Sequence, residues 1–185
     1  MVYYFVMLTL KDSSSSLVRH ASLSDLTAIT DIYNYYVLNT SITFDLAPFT
    51  PETRRPWFNQ FDSDSPYQCL VLEIDQRVIG YASSAALRPK AAYNTSVECS
   101  IYLDSKVGGQ GHGSRLYEQL FDRLNQHDLH RCYGIITLPN QASLALHRSF
   151  GFSEVARLNE VGRKFGRYWD TVWMEKSLGP VRSPD

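Results

Sequence analysis

Residues 107–113, VGGQGHG, hold four glycines and lead directly into SRLYEQLFDRL. The stretch ahead of them, SVECSIYLD, alternates strictly. Val97, Cys99, Ile101 and Leu103 share one face and Glu98, Ser100 and Tyr102 the other, which is the period of a strand. Behind the glycines, Leu116, Tyr117, Leu120, Phe121 and Leu124 recur at the spacing of one helical face. Strand, glycine loop and amphipathic helix therefore follow one another between residues 96 and 124, which commits the chain to a mixed architecture of helices around a sheet. The loop has no side chain at four positions, so its backbone N–H groups and those of the helix N-terminus are open to an anion such as a phosphate.

The remaining segments extend this pattern. LVRHAS reads as a strand. SLSDLTAITDIYNYYVLN reads as a helix with Ser22 as N-cap and Asp25 three positions on, burying Leu26, Ile29, Tyr33, Tyr36 and Val37. Thr50-Pro51 opens a second helix, with Glu52 at its positive end. QCLVLEI and VIGYASSAAL form a hairpin through DQR, and RCYGIITL is a further strand. PNQASLALHRSFGF is a short helix capped by Asn140 and stopped at Gly151. SEVARLNEVGRKFGRYWDTVWMEKSL reads as two strands around a glycine-bearing turn. No internal repeat appears, and 185 residues suit a single core. The expected division is an N-terminal arm and Ser-rich hinge at 1–16, one α/β domain at 17–178, and a tail at 179–185.

Composition excludes some partners. A net charge of -1 gives no reason to expect nucleic acid or an anionic membrane. Cys69, Cys99 and Cys132 are isolated, without CxxC spacing, as in a reducing, cytoplasmic compartment. His127 and His130 have no cysteine beside them, so no metal is expected. The apolar start MVYYFVMLTL is too short to span a bilayer and lacks a preceding basic region. It reads equally as an extra strand, a packed arm or a leader.

Two phosphate-binding loops are ruled out by residue type. Gly108 and Gly113 have the interval of a Walker A loop, but Ser114 and Arg115 follow instead of Lys and Ser/Thr. A dinucleotide fingerprint needs GxGxxG near the start of a βαβ unit. Here Gly109, Gly111 and Gly113 read GxGxG past the midpoint of the chain. A glycine turn that merely links strand to helix is the plainer reading on spacing alone.

The loop resembles the acyl-CoA loop of the Gcn5-related (GNAT) N-acetyltransferases, [QR]xxGx[GA], with Gly108 where the family carries Gln or Arg and Gln110 displaced by two positions. DIYNYYVLNTSITFD, GYASSAALRPKAAYNTSVECSIYL, LPNQASLALHRSFGF and VGRKFGRYWDTVWMEKSL resemble, in order, blocks of the phosphinothricin acetyltransferase-like subfamily. The resemblance runs from Leu17 to Leu178. It implies a single mixed, largely antiparallel twisted sheet flanked by helices. It also implies acetyl-CoA as cofactor, coenzyme A as product, and a small amino-acid-like amine as acceptor, of the phosphinothricin, methionine sulfoximine or methionine sulfone type.

Site residues follow from chemistry and resemblance together. Aminolysis of a thioester needs a free amine, so a general base is expected. Glu98, facing away from the apolar row of its strand, stands at the family's base position. His147 stands where the wider superfamily carries a tyrosine that protonates the departing thiolate. Ile101, Tyr102 and Leu103 at the strand end are assigned to the cofactor. So are Gly109, Gln110, Gly111, His112, Gly113 and Ser114 in the loop, with Asn140 and Ser143 beyond it. A substrate carboxylate calls for cations, supplied by Arg88 and Lys90 in LRPKAAY, with Tyr36 and Phe44 as an aromatic wall and Tyr93 as a floor. Gly162, Lys164, Gly166 and Trp169 match a turn that, in the resembled enzymes, crosses a two-fold interface, implying a homodimer. No cysteine is paired with a histidine, so direct attack in a ternary complex is expected rather than an acyl-enzyme. The alternatives are a peptide or protein N-acetyltransferase and a non-catalytic acyl-CoA sensor on the same fold.

Overall fold

The computed structural model describes residues 16–179. The N-terminal arm, apart from Ser16, and the tail beyond Gly179 lie outside the described residues. Seven strands form one sheet in the order β1-β2-β3-β4-β5-β7-β6. They are β1 (Ser16–His20), β2 (Cys69–Ile74), β3 (Arg77–Ala86), β4 (Ser96–Leu103), β5 (Arg131–Thr137), β6 (Ser153–Lys164) and β7 (Arg167–Ser177). Every neighbouring pair is antiparallel except β4 and β5. The helices are α1 (Leu26–Asn39), α2 (Pro51–Phe58), α3 (His112–Leu124) and α4 (Gln141–Ser149).

Local chemistry explains the element boundaries. Ser22 and Asp25 close the expected capping box: the Ser22 N–H and hydroxyl both donate to Asp25 Oδ2, at 2.8 and 2.9 Å. A short 3-10 turn, Leu23–Asp25, then precedes α1. Thr50 caps α2 by accepting from the Thr53 N–H at 3.3 Å, while the Thr50 N–H donates to Thr53 Oγ1 at 2.9 Å. Asp75 and Gln76 turn the β2–β3 hairpin with φ of 48° and 64°. Phe165 and Gly166 turn β6 into β7 with φ of 52° and 75°. Positive φ at both central residues matches the right-handed twist of the flanking strands.

The two sheet faces carry separate cores. α3 lays Leu116, Tyr117, Leu120, Phe121 and Leu124 against Val97, Cys99, Cys132, Val172 and Met174, with Leu144 of α4 beside them. Fully burying each such leucine contributes about 1.5–3 kcal/mol. On the other face α1, through Ile29 and Ile32, and α2, through Trp57 and Phe58, cover Cys69, Val71 and Tyr81, and Tyr102 packs against this cluster. The strict alternation of β4 therefore serves two cores, and Glu98 and Ser100 lie on the α1–α2 side.

One break in the sheet positions everything that follows. The parallel ladder pairs Ser96 with Arg131, Val97 with Cys132 and Glu98 with Tyr133, and no pair follows. β4 continues to Leu103 and β5 to Thr137, so the two strands fork.

Candidate active site

The fork opens a cavity of about 590 Å³ between β4, β5, the glycine loop and α4. Ser100, Ile101, Tyr102, Leu103, Gly108, Gly109, Gly111, Gly113, Ser114, Asn140 and Ser143 all line it. Of the residues assigned to a cofactor from sequence, Gln110 and His112 lie in the same loop and helix start but do not line the cavity. On its β5 side β4 has no ladder partner beyond Glu98, which leaves backbone N–H and C=O groups there for another chain-like molecule. Tyr36 of α1 also lines the cavity, and its hydroxyl donates to the Leu103 carbonyl at 2.6 Å. Tyr36 thus fastens α1 to the end of β4.

The loop suits an anion. Gly109 and Gly111 have φ of 79° and 77°, a region that L side chains rarely adopt. Gly111 is the N-cap of α3 and offers no side-chain hydrogen bond, and the helix's own bonding begins with the Arg115 N–H on the Gly111 carbonyl at 3.1 Å. The first-turn N–H groups are left for an external acceptor at the positive end of the dipole. A Cβ at Gly108, Gly109 or Gly111 would meet nothing within 4 Å. The space above the loop is free, as a pyrophosphate requires. The donor set therefore fits the phosphates of an acyl-CoA.

Glu98 stands at the crotch of the fork as the last β4 residue paired to β5. It is half-buried, and that burial raises its pKa, opposed by the nearby Arg88 charge. A carboxylate held above its usual range accepts a proton more readily near neutral pH. Glu98 itself does not line the cavity; its strand neighbours Cys99 and Ser100 do.

The other residues expected around the amine are placed less closely. Arg88, Lys90 and Tyr93 are exposed on the segment between β3 and β4, which contains a 3-10 turn at Ala91–Tyr93. Arg88 lies over the Trp173 ring, 5.2 Å from its centroid. Phe44 packs against Gly162 of β6, where any Cβ would collide with its ring. Lys164 Nζ donates to the Thr43 carbonyl at 2.7 Å, with both residues buried. Trp169 Nε1 donates to the Lys164 carbonyl at 2.9 Å. Gly162 and Lys164 are thus engaged with the α1–α2 segment of their own chain, while the turn tip at Phe165 and Tyr168 is exposed.

His147 is buried and lines the inner wall of the cavity. Its Nδ1 meets the Ser143 carbonyl at 2.8 Å and its Nε2 meets the Tyr117 hydroxyl at 3.0 Å. A carbonyl only accepts, so Nδ1 carries the proton, and Nε2 accepts from Tyr117. Burial lowers the His147 pKa, which keeps the ring neutral. Its one N–H is committed to Ser143, so this arrangement leaves His147 no proton to offer a thiolate. The ring sits on β5 where Gly134 has no side chain; a Cβ there would be 2.5 Å from Nε2. Sequence reasoning missed Tyr117, which lines the cavity beside His147 but looks like an ordinary core residue in the stripe of α3.

Comparison with known proteins agrees with this geometry. The sequence model of the Acetyltransferase (GNAT) family matches residues 29–152. The chain is 51% identical over 163 residues to a phosphinothricin N-acetyltransferase of Streptomyces coelicolor, covering 87% of this chain and 95% of that one. It is 35% identical over 170 residues to an L-methionine sulfoximine/L-methionine sulfone acetyltransferase of Pseudomonas aeruginosa, covering 91% and 98%. A phosphinothricin acetyltransferase of Sinorhizobium meliloti, solved in complex with acetyl-CoA, superposes with a TM-score of 0.84 at 33% identity over 89% of each chain.

Proposed function

The chain belongs to the GNAT acetyltransferase family, and from that premise we propose that this acetyl-CoA-dependent N-acetyltransferase acts on the α-amine of a small amino acid or toxic analogue. The phosphinothricin, methionine sulfoximine and methionine sulfone type is the acceptor class named for its relatives. The observation that carries the reading is the fork itself: half-buried Glu98 stands at its foot, and the glycine loop with its uncapped helix N-terminus lines the cavity that it opens.

Backbone N–H groups from Gly109 to Ser114 hold the pyrophosphate. The free edge of β4 at Ile101, Tyr102 and Leu103 lines the acyl arm, with Asn140 and Ser143 opposite. Acetyl-CoA, when bound, supplies the thioester. Glu98 takes the proton from the amine, directly or through a water, and Arg88 and Lys90 receive the substrate carboxylate. His147 and Tyr117 act as positioning residues that fix the wall of the cavity. Asn140 accepts from the Ser143 N–H at 3.2 Å, which caps α4 and sets the Asn140 rotamer.

The chain works as a homodimer. Val155, Leu158 and Val161 are exposed along β6, the edge strand of the sheet, with Phe165 and Tyr168 exposed at the adjoining turn, an apolar strip suited to a second copy. Three free, buried cysteines suit a cytoplasmic setting. Among the described residues no helix is long and apolar enough to cross a membrane, and no cluster of His, Cys, Asp and Glu able to hold a metal ion is present.

The test is thiol release from acetyl-CoA with phosphinothricin, methionine sulfone, methionine sulfoximine and a peptide panel. Turnover confined to the amino acids supports the reading. Turnover confined to peptides overturns the acceptor class, and binding of acetyl-CoA without turnover would make the chain a sensor.

A further inference from the structure

The sheet face that carries Glu98 continues into a second, smaller cavity. In register across β3 and β4 stand Ala85 with Glu98, then Ser83 with Ser100, then Tyr81 with Tyr102. Successive couples are about 7 Å apart along the strands. Over the last two couples lies a cavity of about 190 Å³ lined by Tyr33, Asp45, Arg54, Trp57, Ser83 and Ser100, among others. It shares Ser100 and Tyr102 with the larger cavity.

Several donors in it lack an acceptor. Arg54 of α2 is 5% exposed. Its guanidinium lies over the rings of Tyr33 and Trp57, 3.8 and 4.2 Å from their centroids. Among the described residues it makes no ion pair. Its one hydrogen bond there runs from Nη2 to the Tyr81 hydroxyl at 3.2 Å, and its buried Nε has no partner. Ser83 is 4% exposed, and neither its hydroxyl nor that of Ser100 is hydrogen-bonded among the described residues. The one lining carboxylate, Asp45, accepts from the Tyr33 hydroxyl at 2.5 Å and also acts on Lys164, so it does not neutralise Arg54 alone. A buried guanidinium Nε without an acceptor is costly, and the two hydroxyls beside it are free to donate. The complement of such a cavity is an oxygen-bearing acceptor group. With rings over the guanidinium, that group meets it in its plane.

We propose that this cavity is the side-chain subsite for the amine substrate, and that Arg54, Ser83 and Ser100 select side chains ending in an oxo group: a sulfone, sulfoximine, phosphinate or carboxylate. The inference rests on the amino-acid N-acetyltransferase reading. With the amine at Glu98, a terminal sulfur or phosphorus four bonds away reaches roughly 5 Å, to the level of the Ser83–Ser100 couple. Arg54 stands beyond that couple, above Tyr81, and acts on specificity rather than on the reacting atoms.

The test compares kcat/KM for methionine sulfone and phosphinothricin with that for norleucine, which lacks the acceptor oxygens, in the wild type, Arg54→Met and Ser83→Ala. The wild type is expected to prefer the oxo-bearing substrates. Arg54→Met should raise their KM about tenfold or more, the scale of a hydrogen bond to a charged group, while norleucine stays within about threefold. Ser83→Ala, a small change that keeps the fold, should reduce the preference several-fold at an unchanged KM for acetyl-CoA. Equal loss for all three amines, or a wild type without oxo preference, overturns the subsite alone. Failure of the wild type to acetylate any amino acid overturns the functional reading and the subsite with it.

Discussion

Glu98 on β4 pairs with Tyr133 on β5 as the last rung of the only parallel ladder among the described strands. One residue therefore closes the joined part of the sheet at the foot of the cleft where the strands part. That placement buries the carboxyl and raises its pKa.

Replacing this carboxylate separates chemistry from binding. Glu98→Gln keeps the shape and removes the proposed base, so kcat should fall about 10²- to 10⁴-fold, with KM for acetyl-CoA within a few-fold of wild type. Steady-state kinetics against methionine sulfone check this. Stability at pH 7 should not fall, because burial disfavours the ionised form that the amide replaces; a thermal melt reads that directly.

The same shift sets the pH dependence. The proposed base role requires ionised Glu98, and burial moves its titration above the ordinary value of 4.5. The acid limb of kcat/KM should therefore lie at higher pH than for a free carboxylate. Arg88 opposes the shift, so Arg88→Gln should move that limb further up. A limb that stays put in Arg88→Gln would assign it to another group.

Much of this fold is legible in the residues, and the exceptions have physical causes. The capping box at Ser22 and Asp25, the Thr50 cap, the hairpins and the alternation of β4 are local, and local chemistry decides them. The fork is not local: nothing in SVECSIYLD or RCYGIITL says that pairing stops at Glu98 and Tyr133. Resemblance could supply Glu98 and the glycine loop, because each is a contiguous motif. Arg54 and Tyr117 were not legible, since one reads as a helix-surface cation in PETRRPWF and the other as a member of an apolar stripe. The structure shows the first caged by aromatic rings and the second hydrogen-bonded to His147. His147 itself reads as an acid by position, yet both its ring nitrogens are engaged.

Gly111 gives a loop-specific prediction. Its φ of 77° strains any L side chain, and a Cβ there meets nothing within 4 Å, so the methyl would project into the space assigned to phosphate. Gly111→Ala should cost about 1 kcal/mol of stability. It should raise KM for acetyl-CoA about tenfold while leaving KM for the amine nearly unchanged. An equal rise in both constants would place the loop's influence in the fold rather than in the cofactor site.

Gly162 tests whether the β6–β7 hairpin shapes the amine side. A Cβ there runs into the Phe44 ring, and overpacking costs about 1–3 kcal/mol. Gly162→Ala should lower the melting temperature and raise KM for the amine, with KM for acetyl-CoA little changed. Gly166, with nothing within 4 Å of its Cβ position, provides the contrast: Gly166→Asn suits its positive φ and should leave both constants near wild type.

His147 links stability to pH. Burial lowers its pKa below the ordinary 6.5, so the folded chain holds the ring neutral while the unfolded chain protonates it. The stabilisation is fully present above pH 6.5 and is lost as pH falls through the lowered folded-state value. His20, lowered by burial and by the charge of Arg123, contributes in the same direction. Melting temperatures measured from pH 8 to 5 should therefore decline, and His147→Gln should flatten part of that decline while the His20 contribution remains. At pH 8 the same variant should be about 1–3 kcal/mol less stable, because the Tyr117 hydroxyl loses its fitted acceptor in a buried wall. Its kcat should fall far less than that of Glu98→Gln, since His147 holds the wall rather than moving the proton. A loss as large as that of Glu98→Gln, at unchanged stability, would return His147 to the role of acid.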